Sequence, residues 1–82
     1  MHYVYVLRSL RDGNLYVGRT GDLKLRLGEH QRGRVESTMN RRPLKLLYCE
    51  ASHNIKDAVY RERYLKTAWG KRYLKHRLKN DP

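Results

Sequence analysis

Eighty-two residues make one small folding unit, with about 60% of the unfolded surface buried at this size, so the core must come from a few concentrated apolar segments. Nineteen Lys and Arg against eight Asp and Glu leave a formal charge of +11, which calls for an acidic partner and points to nucleic acid before an anionic membrane, since no basic helix here carries the broad apolar face that membrane binding needs. The single cysteine, Cys49, excludes an intrachain disulfide and a cysteine-based zinc site, and with no signal-like or membrane-spanning apolar run the expected setting is the cytoplasm. The first expected strand is His2 to Leu7, rich in aromatic and β-branched residues, with a turn at Arg11-Asp12-Gly13-Asn14 and a return strand at Leu15-Tyr16-Val17-Gly18. Asp22 then caps a helix carrying Leu23 and Leu27, with Gly33 as its stop and with Arg26 and His30 one turn apart on one face.

From Gln31 to Arg42 the chain is polar, basic and without periodicity, a loop whose Arg34, Arg41 and Arg42 are suited to touching phosphates. Leu44 to Glu50 reads as a third strand, apolar on both sides and therefore expected to be central or well covered. Asn54 opens a helix expected to reach the neighbourhood of Gly70, and a last short helix, about 71–79, turns Leu74 and Leu78 inward and Lys71 and Arg72 toward solvent and nucleic acid. The order β-β-α-β-α-α predicts an α+β domain, a three-stranded antiparallel sheet with helices packed on it, spanning residues 1–82.

Function is expected where residues break these patterns. Ile55, Ala58, Glu62, Leu65 and Trp69 follow a 3-4-3-4 spacing that would set Glu62 in a buried stripe. A carboxylate there must be paired, for instance with Arg26, or protonated, or bound to a metal. Seven tyrosines and no phenylalanine are a second anomaly, because each buried hydroxyl wants a hydrogen-bond partner, and Tyr5 and Tyr16 lie on adjacent strands. Gly18 either ends its strand or lets another group approach closely. No second His or Cys stands near His30 at metal-ligand spacing, which argues against zinc.

Together these residues resemble the GIY-YIG nuclease superfamily, which includes the N-terminal domain of UvrC-type repair excinucleases and small stand-alone bacterial proteins. Val4-Tyr5-Val6 and Tyr16-Val17-Gly18 match its two motifs; Arg26, His30 and the Ala58-x-x-x-Glu62 context follow in order, and the stretch from Ser37-Thr38 to Arg41-Arg42-Pro43-Leu44 is closest to the stand-alone members. The first motif lacks its glycine, and the late asparagine of many relatives has no clear match, His76 and Asn80 lying near its place.

The resemblance implies a divalent-metal-dependent endonuclease acting on nucleic acid, with DNA favoured over RNA but both left open, as a monomer or weak homodimer. Glu62 would hold Mg²⁺ or Mn²⁺, Arg26 and Arg19 would take the phosphate, and Tyr5, Tyr16 or His30 would take the proton of the attacking water. A tyrosine suits that task only where neighbouring cations lower its pKa. The competing class is a basic nucleic-acid-binding module without chemistry.

Overall fold

The computed structural model describes residues 1–80. It contains β1 (His2–Ser9), β2 (Leu15–Thr20), α1 (Leu23–Gln31), a 3-10 turn (Met39–Arg41), β3 (Leu44–Ser52), α2 (Ile55–Leu65) and α3 (Ala68–Arg77), the expected order. The three strands form one antiparallel sheet in the order β2-β1-β3. Among the described residues no helix is long and apolar enough to cross a membrane.

β1 is the middle strand because it alone offers apolar side chains to both faces without a break: Val4, Tyr5, Val6 and Leu7 are all at most 1% exposed. Val4 and Val6 pack with Val17, Ala58, Leu65 and Leu74, so α2 and α3 cover that face. Tyr5 and Leu7 point the other way, to Leu44 and to Tyr16, Leu23 and Leu27, so α1 covers the opposite face. β3 is an edge strand and not a central one, with Cys49 exposed and Leu46 38% exposed. Of its apolar run only Leu44 is buried.

The second helix is shorter than expected. It ends at Leu65, and Thr67 starts α3 by accepting the Gly70 amide on its hydroxyl at 3.1 Å. The break takes Trp69 out of the proposed stripe, leaving it 67% exposed, and Ile55 at the other end is 48% exposed. Gly70 allows the break to be tight: a Cβ there would strike the backbone of Tyr64 and Leu65. α1 starts at its expected cap, Asp22 accepting the Leu25 amide at 3.0 Å.

Candidate active site

Tyr5 and Tyr16 come from neighbouring strands, where Tyr5 pairs with Gly18 and Tyr16 with Leu7. The strand continues through Gly18 to Thr20, so the glycine is there for close approach and not as a terminator. A Cβ on Gly18 would stand 2.5 Å from the Tyr5 hydroxyl and 3.0 Å from the Tyr16 ring. Both tyrosines therefore lean over a gap that only glycine leaves.

His30, in the last turn of α1, closes the group from above. It is 1% exposed; its Nε2 lies 2.7 Å from the Tyr5 hydroxyl and its Nδ1 2.7 Å from Oγ1 of Thr38, which is fully buried. The ring centroids of Tyr16 and His30 are 5.2 Å apart, edge to face. Arg26, one turn earlier on α1, donates to Glu29 at 3.2 Å and reaches the Tyr5 hydroxyl.

Burial pushes the Tyr5 hydroxyl pKa up, a hydrogen bond from Arg26 only partly opposing it. At Tyr5, desolvation outweighs the influence of Arg26. Burial, then the Arg26 charge, holds His30 below 6.5, while the hydrogen bond to Tyr5 raises Arg26 further. At neutral pH the group is a charged Arg26, a protonated Tyr5 and a neutral His30. Where Tyr5 gives its proton to a neutral His30 at Nε2, Nδ1–H is left to donate to Thr38.

Glu62 is not the buried, unpaired carboxylate of the sequence pattern, nor is it paired with Arg26. Its side chain is 20% exposed, and its oxygens accept from Arg19 Nε at 3.2 Å and Lys66 Nζ at 3.1 Å. Arg19 pairs with Val4, a residue of the cluster under α2 and α3, so Glu62 stands on the face away from Tyr5. Edge strand β2 lies between the two halves, and the Glu62 charge still reaches Tyr5, raising its pKa. Among the described residues no three His, Cys, Asp or Glu side chains gather as metal ligands. A lone, partly exposed carboxylate with lone pairs left over after two flexible cations nonetheless fits a hard divalent ion that keeps most of its waters.

The remaining basic residues are dispersed. Arg34 is exposed in the loop after α1, whereas Arg41 bonds Asp12 at 3.1 Å and Arg42 donates to the Met39 carbonyl at 3.0 Å, so this pair pins the loop. Lys71 lies exposed beside Leu15 and Leu74, and Arg72 stacks over Trp69 at 4.7 Å. His76 and Asn80 are both exposed, on α3 and after it. Two residues of the site were not anticipated. Thr38 lay in a polar loop where nothing distinguishes a buried hydroxyl, and Lys66 had only its i+4 spacing from Glu62 as a signal.

Residues 1–77 match the family model described as the GIY-YIG catalytic domain. The chain is 47% identical over 77 residues to a UPF0213 protein of Orgyia pseudotsugata multicapsid polyhedrosis virus, covering 92% of this chain and 72% of that one. It is 42% identical over 66 residues to a UPF0213 protein of Bacillus licheniformis, covering 79% and 67%. The solution NMR structure of a UPF0213 protein from Bacillus halodurans superposes with a TM-score of 0.59 at 31% identity, over 99% of this chain and 87% of that one.

Proposed function

The chain belongs to the GIY-YIG catalytic-domain family, and on that footing we propose that it is a divalent-metal-dependent endonuclease hydrolysing phosphodiester bonds in nucleic acid. DNA is the proposed polymer, residues 1–82 the working unit, a monomer or weak homodimer, and the cytoplasm the compartment. The observation that carries this reading is the convergence of Tyr5, Tyr16, Arg26 and His30 around Gly18, with the Glu62 carboxylate across β2.

In this reading Arg26 takes non-bridging phosphate oxygens through its planar fork, and Arg19 adds a second cation from the Glu62 side. Tyr16 takes the proton of the attacking water. Tyr5 and His30 are each 1% exposed and shut away from solvent, whereas Tyr16 is half-buried. The Tyr5–His30–Thr38 chain holds Tyr16 and Arg26 in place. Glu62 would hold Mg²⁺ or Mn²⁺, which when bound supplies Lewis-acid stabilisation of the phosphate charge and the departing oxygen. Arg34, Arg41, Arg42, Lys71 and Arg72 are proposed as outlying phosphate contacts.

The two salt bridges of Glu62 favour the competing reading, a basic binding module in which the carboxylate is only structural. Glu62→Gln separates the two. Labelled DNA incubated with Mg²⁺, Mn²⁺ or EDTA should be cut by the parent protein only with metal, and at least about 10²-fold more slowly by the variant. The melting temperature in EDTA should move little, because partly exposed ion pairs contribute about 0–1 kcal/mol each. Metal-independent cleavage, or a variant that cuts as fast as the parent, would overturn the proposal.

A further inference from the structure

Beyond the tyrosine cluster, the face under α3 carries an open cleft of about 640 Å³, floored by Leu15, Leu47 and Leu78 above the buried Leu74. Lys71 and Lys75, one helical turn apart on α3, and Lys79, just past its end, stand along its rim. A second hollow of about 310 Å³ shares Leu15, Lys71 and Leu74 with it and extends along β2 past Tyr16 to Lys66, the lysine that bonds Glu62 at 3.1 Å. The two form one groove beside edge strand β2, from the candidate site to the outer end of α3. Among the described residues, none of those lining it is acidic.

We propose that this groove seats an unpaired stretch of nucleic acid flanking the cleaved phosphate, with a base on the leucine floor and the backbone phosphates along the lysine row. Charge selects the occupant: an apolar floor edged by three lysines suits a ligand that combines flat apolar faces with negative charges along its backbone, and a single strand is such a ligand. A duplex cannot use the floor, because its bases are stacked away inside. The cleft is of the size that takes one nucleoside. The preferred substrate is then a duplex with a single-stranded extension or flap next to the scissile bond. Which strand enters the site rests on the nuclease reading; the affinity of the groove does not.

The test is fluorescence anisotropy in EDTA, where nothing is cut, with a blunt DNA duplex and the same duplex carrying a single-stranded extension of about six nucleotides. The parent protein should bind the extended form about tenfold more tightly. Lys75→Ala combined with Lys79→Ala should bring that preference to within about twofold. It should also reduce the log-log salt slope on the extended form by about 1.4, at roughly 0.7 per single-strand contact, with the blunt slope unchanged. Leu47→Glu, checked by circular dichroism, should lose the preference through the floor; if it does not fold, the lysine variant decides alone. No preference in the parent, a preference kept in the folded variants, or displacement by polyglutamate as effective as by oligonucleotide would each overturn the proposal. A preference that behaves as expected in a protein that cuts nothing would retain the groove and remove the nuclease reading. Cleavage without the preference would do the reverse.

Discussion

Tyr5 and Tyr16 share a residue type and a sheet face, and exposure separates their chemistry. Tyr16→Phe is therefore expected to lower the single-turnover cleavage rate by about 10²–10⁴-fold, the usual contribution of a general base, with little change in melting temperature. Tyr5→Phe should cost stability as well, because it leaves His30 Nε2 buried without its partner. A Tyr16→Phe protein that cuts at the parent rate would assign the base elsewhere. His30 carries a pH signature. Its folded pKa is held below 6.5, so between the two values the unfolded chain binds more protons than the folded one. The stability it contributes is complete above 6.5 and is lost as pH falls from there through the folded pKa. Glu50 and Asp12, whose pKa values are also lowered, act in the same direction only below 4.5 and 3.8. Melting temperature should thus already fall between about pH 6.5 and about pH 5, and His30→Gln should flatten that interval. A parent curve flat across it would show that His30 is not held neutral by burial.

At the scale of elements, the crossing of α2 and α3 is set by Gly70 and the cap at Thr67. Gly70→Ala would gain about 1 kcal/mol of helix propensity, but its Cβ meets backbone, which cannot give way as a side chain can. Overpacking at about 1–3 kcal/mol wins, and the net loss should appear as a lower urea midpoint with unchanged slope. Gly28 in α1 is the control, since a Cβ there meets the flexible end of the Arg32 side chain at 3.0 Å, and Gly28→Ala should be neutral or stabilising. If both substitutions stabilise, close helix contact is not what requires Gly70. β3 is tied to α2 by an ion pair, Arg61 donating to the two Glu50 oxygens at 2.6 and 3.1 Å, and within β3 the Tyr48 hydroxyl donates to the same carboxylate at 2.7 Å.

Over the whole molecule, size limits recognition. The longest extent, 31 Å, spans about nine base pairs at 3.4 Å per step. With basic residues on several surfaces only part of the +11 charge can face one duplex. About four to six phosphate contacts follow, and so a log-log salt slope of about −4 to −5. A slope near zero in an anisotropy titration would remove nucleic acid as the partner. Sequence specificity should be low, because specific DNA readers commonly bury about 1,000 Å² or more of their own surface and this chain is small.

Composition, periodicity and the order of motif residues were enough to give the element order, the antiparallel three-stranded sheet and the family. Those properties are local, or depend only on which residue types follow one another along the chain. Tyr5, Tyr16, Arg26 and His30 were legible as candidates for the same reason, each standing at a fixed place on a readable strand or helix. Sequence could not say which strand is central, because a two-sided apolar run reads alike in a core strand and in a half-covered edge strand, as β3 shows. Nor could it place Glu62, since the 3-4-3-4 stripe presumed one helix through Thr67, and the break there, with Gly70 packed on the end of α2, leaves Trp69 in solvent, while Ile55 is exposed at the other end. Burial of His30 against Thr38, and the desolvation that raises Tyr5, depend on residues far apart in sequence meeting at one point. Only tertiary packing decides solvent access, and it separates the buried Tyr5 and His30 from the half-buried Tyr16 among the candidates.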